Sequence, residues 1–400
     1  MSAAGTKVIT EPVVVRTAAA MSEIDAAAWD AVANPDPLHF DPFVTHRFLA
    51  ALEASGSINA RSGWKPCHIL IERGGRLVGA APCYLKGHSY GEYIFDHGWA
   101  DAYQRHGLDY YPKLLAAVPV TPVPGRRLLV APDDDPPAVR RALLTAAQLL
   151  CETRGASSFH VNFPTAEEAD QLGELGLLRR TGTQYHWANA GYSSFEDFLA
   201  TLASRKRKAI RRERRDALDG GISIEWVSGR DITEAHWDLI FAFYMETGSR
   251  KWGQPYLNRR FFSLLGEALA EYVVLILAKR GGETIAGALN LVGGEAIYGR
   301  YWGCREQVPF LHFEVCYYQA MDYAIANKLQ RVEAGAGGEH KLVRGYVPVT
   351  THSAHWIGHP SFRQAIEHYL ERERVAVERQ NEQLAGLTPF RKGERTDQDA

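Results

Sequence analysis

The chain has 400 residues, 46% of them hydrophobic, and 45 Lys and Arg against 47 Asp and Glu leave a formal net charge of −2. That length points to two or three domains with real cores, and the near-neutral charge excludes a chain that is basic throughout, so any nucleic-acid contact must be local and DNA binding is not expected. The five cysteines are odd in number and form no CxxC pair, which fits a reducing compartment and gives no zinc signature.

The N-terminal MSAAGTKVITEPVVV lacks a continuous apolar core for a signal peptide, and no run approaches 18 apolar residues. A cytoplasmic protein with no membrane span is expected. After a loose leader over residues 1–12, a helix is predicted over 21–32 with Ser22 as cap. A Pro-rich loop at 34–43 feeds a second helix at 46–55. The strand pattern of 68–72, the turn Arg73-Gly74-Gly75 and the return strand 77–85 predict a hairpin. Further strands are read at 91–95, 127–130, 159–163 and 183–188. Helices are read at 137–154 and 166–175, with one opening at Tyr110-Tyr111-Pro112.

In the second half, a charged helix covers 204–215, a strand 222–227, and helices 232–247 and 259–270. Strands at 272–279 and 284–292 flank Gly281-Gly282, and 295–301 adds another strand. Phe313, Tyr317, Ala320, Met321 and Ala324 then recur at helical spacing behind Pro309, which suits a helix start. A short strand at 331–334 leads into a glycine-rich polar loop. A strand at 353–357 and a helix at 362–384 follow. Residues 388–400 read as a disordered tail.

The two halves echo each other. Cys67–Trp99 parallels Val273–Gly303: an apolar strand, a turn ending Gly-Gly, a return strand with Gly-Ala, then Gly-Glu-x-Ile. From Gly91 a constant offset of 203 aligns Gly91 with Gly294 and Trp99 with Trp302, and sets His312 and Glu314 against Asp109 and Tyr111. A repeat of that length means two homologous domains rather than a solenoid.

Three stretches carry a resemblance: Lys86–Leu115, Leu202–Ile222, and Tyr301 through Trp356. Each half resembles a GNAT (GCN5-related acyltransferase) domain, and the tandem resembles the FemAB-like branch of the Fem non-ribosomal aminoacyltransferases, often labelled peptidoglycan biosynthesis proteins. The resemblance implies an α/β (α+β) fold of two tandem GNAT-like domains, each a mixed, mostly antiparallel sheet flanked by helices. The boundaries read 13–190 and 191–360, with a C-terminal helix at 361–387 packing back on the first domain. It also implies transfer of an aminoacyl or acyl group to a small-molecule or peptide amine. The donor would be aminoacyl-tRNA, or alternatively acetyl-CoA or another acyl-CoA, with no cofactor and no metal. The coiled-coil arm of many Fem proteins has no room at Ser204–Asp219. Oligomeric state is not readable.

Candidate site residues gather in the second half. Glu314 and His312, in the first turn of the central helix, are proton carriers for an attacking amine. Glu333, Glu339, His340, Lys341 and Arg344 flank Gly335, Gly337 and Gly338, where the backbone can approach a ligand and cations can hold an oxyanion. Tyr301 and Trp302 precede the helix as substrate contacts. In the first half Lys86, Tyr90, Asp96, Trp99 and Tyr103 suit an acceptor groove, beside His88 and Asp101.

The run Arg205–Arg215 sets eight cations against Glu213 alone, an electrostatic footprint for tRNA phosphates carried by Lys206, Arg207, Arg211 and Arg212. A solvated helix with local ion pairs is the plainer alternative. A CoA pyrophosphate loop is expected before the central helix, but Arg300-Tyr-Trp-Gly303-Cys-Arg305 lacks its last small residue. Cys304 is the rival covalent nucleophile. Trp252, Gly253, Gln254 and Tyr256 form a loop over the second-domain groove, and no GxSxG elbow exists.

Overall fold

The computed structural model describes residues 12–250 and 255–391. The first half runs β1 (Val13–Ala18), α1 (Ala26–Ala33), α2 (His46–Ala54), β2 (Trp64–Pro66), β3 (His68–Arg73), β4 (Arg76–Ala81), β5 (Cys83–Lys86), α3 (His97–Arg105), β6 (Lys113–Ala116), β7 (Leu129–Val130), α4 (Pro136–Arg154), β8 (Ser158–Asn162), α5 (Ala166–Glu174) and β9 (Leu178–Ala188). The second half runs α6 (Phe195–Thr201), α7 (Ser204–Ala217), β10 (Ile222–Ser228), α8 (Glu234–Arg250), α9 (Arg259–Leu269), β11 (Val273–Arg280), β12 (Glu283–Val292), β13 (Ala296–Cys304), α10 (residues 311–326), β14 (Arg331–Glu333), β15 (Val347–Ile357) and α11 (Pro360–Ala385).

Local chemistry explains most of these elements. Asp135 caps α4 by accepting from the Ala138 N–H, Pro136 opens it, and Gly155 closes it in the left-handed region. Both hairpins turn on glycine pairs with positive φ, Gly74-Gly75 and Gly281-Gly282, the geometry that tight two-residue hairpins require. Asn258 caps α9, whose Phe261, Phe262, Leu265 and Leu269 are buried at helical spacing. Each such side chain contributes roughly 1.5–3 kcal/mol on burial.

Several expectations are corrected. Residues 21–32 split into a short turn at Met21–Glu23 and α1, and the cap is Asp25, not Ser22. Residues 91–95 form no strand, and no helix opens at Tyr110; that segment is irregular and leads into β6. Pro309 stays outside α10, because Phe310 with φ +62 occupies the cap position. Of the expected tail, Pro389 and Arg391 bond back to Ala203 and Thr201; residues 392–400 lie outside the described residues.

The two halves share one sheet. Its order is β10-β11-β12-β13-β14-β9-β15-β8-β6-β5-β2, and β1-β3-β4-β7 forms a separate four-stranded sheet. The join is made by exchange. β15, from the second half, lies between β9 and β8 of the first, while β9 also pairs with β14. The return strand of the first hairpin breaks at Pro82, so β4 stays in the small sheet and β5 enters the large one. α11 lies against β9 and β15, with Arg180 on Glu373 at 2.7 Å, and Phe362 stacked on Tyr103.

Topology also revises the internal alignment. β12–β13 is antiparallel and β13–β14 parallel around α10. β5–β6 is antiparallel and β6–β8 parallel around α4. The counterpart of β13 is therefore β6, and that of α10 is α4. The residues aligned by the offset of 203 are spent differently, because Glu92 and Asp96 are drawn inward by Lys113.

Candidate active site between the two halves

The parallel pair β13–β14 is registered only from Ala296–Tyr298 to Arg331–Glu333. β13 continues to Cys304, while the chain after Glu333 turns away through Gly335, Gly337 and Gly338, at φ of +74, +73 and +99. The strands part at Gly299, where an added Cβ would stand 3.5 Å from the Ala334 Cα. A cavity of about 660 Å³ opens there.

Its floor carries Asn290, Tyr301 and Trp302, and its roof carries His312, Cys316 and Tyr317 of α10. The 334–341 loop forms one rim, and Tyr93 and Pro122 of the first half close the other. Tyr256 lines it too; Trp252, Gly253 and Gln254 of that loop lie outside the described residues.

α10 is not a uniform helix. Residues Glu314–Tyr318 form a π turn between two α segments, a local insertion common at functional sites. Tyr317 Oη lies 2.8 Å from His340 Nε2. The His312 ring packs on Trp302 at 5.1 Å and on Tyr317 at 5.3 Å. Burial pushes the Tyr317 phenol well above its usual pKa, so it keeps its proton.

Of the other predicted residues, Lys341 lines the cavity and the rest of the second-half set lies elsewhere. Glu314 is fully buried behind the helix, held by Arg214 Nη2 at 2.9 Å and by Gln319. Arg344 is buried over the Phe313 ring at 3.4 Å and bonded to Glu213 at 3.0 Å. Glu333 is buried on the Arg331 guanidinium. Glu339 is exposed. Lys341 lines the cavity, and its Nζ ties down the Gly335 and Gly337 carbonyls at 2.7 Å each. Cys304 is buried outside the cavity; the cavity thiol is Cys316.

The basic run also acquires an inner face. Ile210 and Ala217 are buried, Glu213 and Arg214 make the ion pairs just described, and Arg205, Lys208, Arg211, Arg212 and Arg215 stay exposed. At the start of α10 the N–H groups of Leu311, Phe313 and Glu314 donate to the Val308 and Phe310 carbonyls. A Cβ on Gly303 would stand 2.4 Å from the Phe243 carbonyl oxygen, so this glycine serves close packing on α8.

A family model described as FemAB-like, peptidoglycan biosynthesis/recognition, matches residues 20–392. The chain belongs to the FemAB-like family. No curated protein matches it significantly. Among solved structures, FemX is similar at 14% identity and a TM-score of 0.53, over 86% of this chain and 98% of FemX. A conserved protein of unknown function from Bacteroides thetaiotaomicron is similar at 12% identity and a TM-score of 0.50, over 85% and 99% of the two chains. A tandem GNAT protein of the clavulanic acid pathway is 11% identical, with a TM-score of 0.46 over 87% and 99%.

In this FemAB-like chain Lys86 and Asp96 of the first-half candidates join a buried charge cluster with Lys113 and Glu92. Lys113 Nζ donates to Ser89 and Glu92 at 2.8 Å each, and to Asp96. Burial alone would raise Asp96, but Lys113 and His160 hold it well below the usual carboxylate range. Lys86 is fully buried, 3.5 Å over the Trp64 ring, and burial brings it down to about 7. Trp99 packs on His355, and Tyr103 on Phe362. His88, Tyr90 and Asp101 of the first-half candidates line the adjacent cavity of about 470 Å³, with Ser89 and Tyr111.

Among the described residues no cluster of three or more His, Cys, Asp or Glu is placed to hold a metal, and no helix is long and apolar enough to cross a membrane. Sequence reasoning misses Tyr317 and Asn290. Tyr317 reads as apolar helix face, and its partner is 23 residues away. Asn290 carries a readable signal as an amide inside the apolar strand AGALNLV.

Proposed function

We propose that the cavity between the halves transfers an aminoacyl group from tRNA to a primary amine by direct attack. The observation that carries this is the 2.8 Å contact of Tyr317 Oη with His340 Nε2 at the mouth of a cavity shared by both halves. The reading uses the tautomer in which His340 Nε2–H donates to the Tyr317 oxygen and Nδ1 accepts the amine proton. The phenol, which stays protonated, then directs its own hydrogen at the oxyanion that develops on the carbonyl.

The steps balance without a cofactor. The amine nitrogen bonds to the ester carbon, the proton passes to His340, and the carbon–oxygen bond to the tRNA ribose breaks. His340 then returns the proton to the leaving ribose oxygen. An aminoacyl ester is already activated, so positioning supplies much of the remaining acceleration.

Two observations favour tRNA over CoA. The exposed cations of α7 sit on a helix packed against the 339–344 turn. Three N–H groups at the start of α10, those of Leu311, Phe313 and Glu314, are already donating to the Val308 and Phe310 carbonyls, which weakens a pyrophosphate site there. The family's description supports an acceptor of the peptidoglycan-precursor class, for which a peptide bearing a lysine amine is a suitable probe.

The test incubates the full chain with a tRNA pool charged with labelled amino acids and a lysine-bearing stem peptide. Label appearing in the peptide supports the reading. Acetylation of the peptide from acetyl-CoA, with no transfer from any charged tRNA, overturns it.

A further inference from the structure

An amide in the middle of the apolar strand β12 needs partners for both its ends. Asn290 is fully buried, and its Nδ2 donates to the Val274 carbonyl at 3.2 Å, which fixes the sense of the amide. Its Oδ1 has no partner among the described residues, yet Asn290 lines the 660 Å³ cavity. An acceptor left so in a core keeps its desolvation penalty uncompensated.

The strand opposite is built around that oxygen. Asn290 faces Gly299 across the ladder, and the register shifts between Leu289 and Asn290 so that Arg300 is the extra residue of a bulge. Arg300 also lines the cavity, and its Nη2 donates to the Val120 carbonyl at 2.9 Å. A Cβ on Gly299 would lie 3.6 Å from Oδ1. The absent side chain leaves room for one methyl-sized group beside the buried Oδ1, on the side where β13 and β14 part.

We propose that Asn290 Oδ1 anchors a substrate amine by accepting one of its N–H bonds at the apex of the cavity. This rests on the transfer reading above. Two groups share the chemistry: the attacking amine of the acceptor, and the α-amino group of an aminoacyl donor. A site that must pair a buried polar atom rejects analogues that leave it unpaired.

The test uses the same charged tRNA pool and lysine-bearing peptide with Asn290→Leu, Asn290→Asp and Gly299→Ala. Asn290→Leu should raise one KM at least about tenfold and leave the thermal midpoint of the free protein unchanged or higher, since the stranded oxygen is gone. Gly299→Ala, whose Cβ meets only ordinary contacts, should fold and raise the same KM. Asn290→Asp should keep that KM closer to the parent value. A raised acceptor KM identifies the attacking amine; a raised donor KM identifies the α-amino group.

An active parent whose Asn290→Leu and Gly299→Ala forms keep both KM values overturns this inference alone. An Asn290→Leu chain too unstable to assay, with Gly299→Ala unchanged, also overturns it and makes Asn290 a structural residue. A parent that transfers from no charged tRNA removes the reading beneath it as well.

Discussion

Arg214 grips both oxygens of Glu314, Nη2 at 2.9 Å and Nε at 3.1 Å, and turns the same Nη2 to Asp322. This clamps α7 to the π turn of α10. Tyr318 and Arg344 close a second clamp on Glu213. A carboxylate so held is a strut, so Glu314→Gln should act on stability. We expect a loss of about 1–3 kcal/mol in chemical denaturation, the cost of an imperfectly paired buried group. The folded fraction should keep kcat within about threefold. A large fall in kcat at unchanged stability would return Glu314 to the chemistry.

Neutralising Lys206, Arg207, Arg211 and Arg212 to Gln should weaken tRNA binding, measured by fluorescence anisotropy. It should also flatten the salt dependence by roughly one logarithmic unit of slope for each phosphate the helix no longer neutralises. Arg211 already pairs with Glu196, and Arg212 with Asp216, so the change in slope should fall short of the value for four free cations. An unchanged slope would mean that the run is a solvated helix with local ion pairs.

Lys86 gives the fold a pH dependence. Burial on the Trp64 ring outweighs the attraction of Glu92 and Asp96, with Lys113 adding repulsion, and sets the amine at about 7. Between that value and the ordinary lysine value the unfolded chain holds a proton that the folded chain lacks. Stability from this group therefore rises with pH above about 7, by up to about 1.4 kcal/mol per unit. Lys86→Met should flatten this rise and stabilise the protein more at pH 6.5 than at pH 9 in urea denaturation. Equal destabilisation at both values would show a paired, charged amine.

Cys316 is the thiol inside the cavity and Cys304 lies outside it. Direct attack needs neither. Cys316→Ser and Cys304→Ala should each retain most transfer activity, and no acylated cysteine peptide should appear in quenched reactions. An acyl-Cys316 peptide together with an inactive Cys316→Ser form would establish a covalent route.

Local signals in the sequence mark the hairpins, whose Gly-Gly turns demand positive φ, and α4, whose Asp135, Pro136 and Gly155 mark both ends. They also place a cavity-lining loop around Gly335–Lys341. What they do not carry is long-range pairing. The sequence shows only 353–357 of β15 as a strand; its first part, Val347–His352, is drawn into the sheet by pairing with β9. Residues 91–95 have strand composition, yet Glu92 answers to Lys113, 21 residues on. The same blindness makes Glu314 and Arg344 look reactive, because Arg214 and Glu213 lie 100 and 131 residues from them. Tyr317 passes as core for the converse reason: its ring is buried while its hydroxyl reaches His340.

The central claim is most directly tested by transfer kinetics of His340→Ala and Tyr317→Phe on charged tRNA and the lysine-bearing peptide. His340 is exposed on a short turn, so its removal should leave the thermal midpoint within a few degrees. We predict a kcat at least about a hundredfold lower for His340→Ala, the usual scale of lost general base catalysis. For Tyr317→Phe we predict at least about tenfold. A His340→Ala protein that transfers at the parent rate would contradict the account.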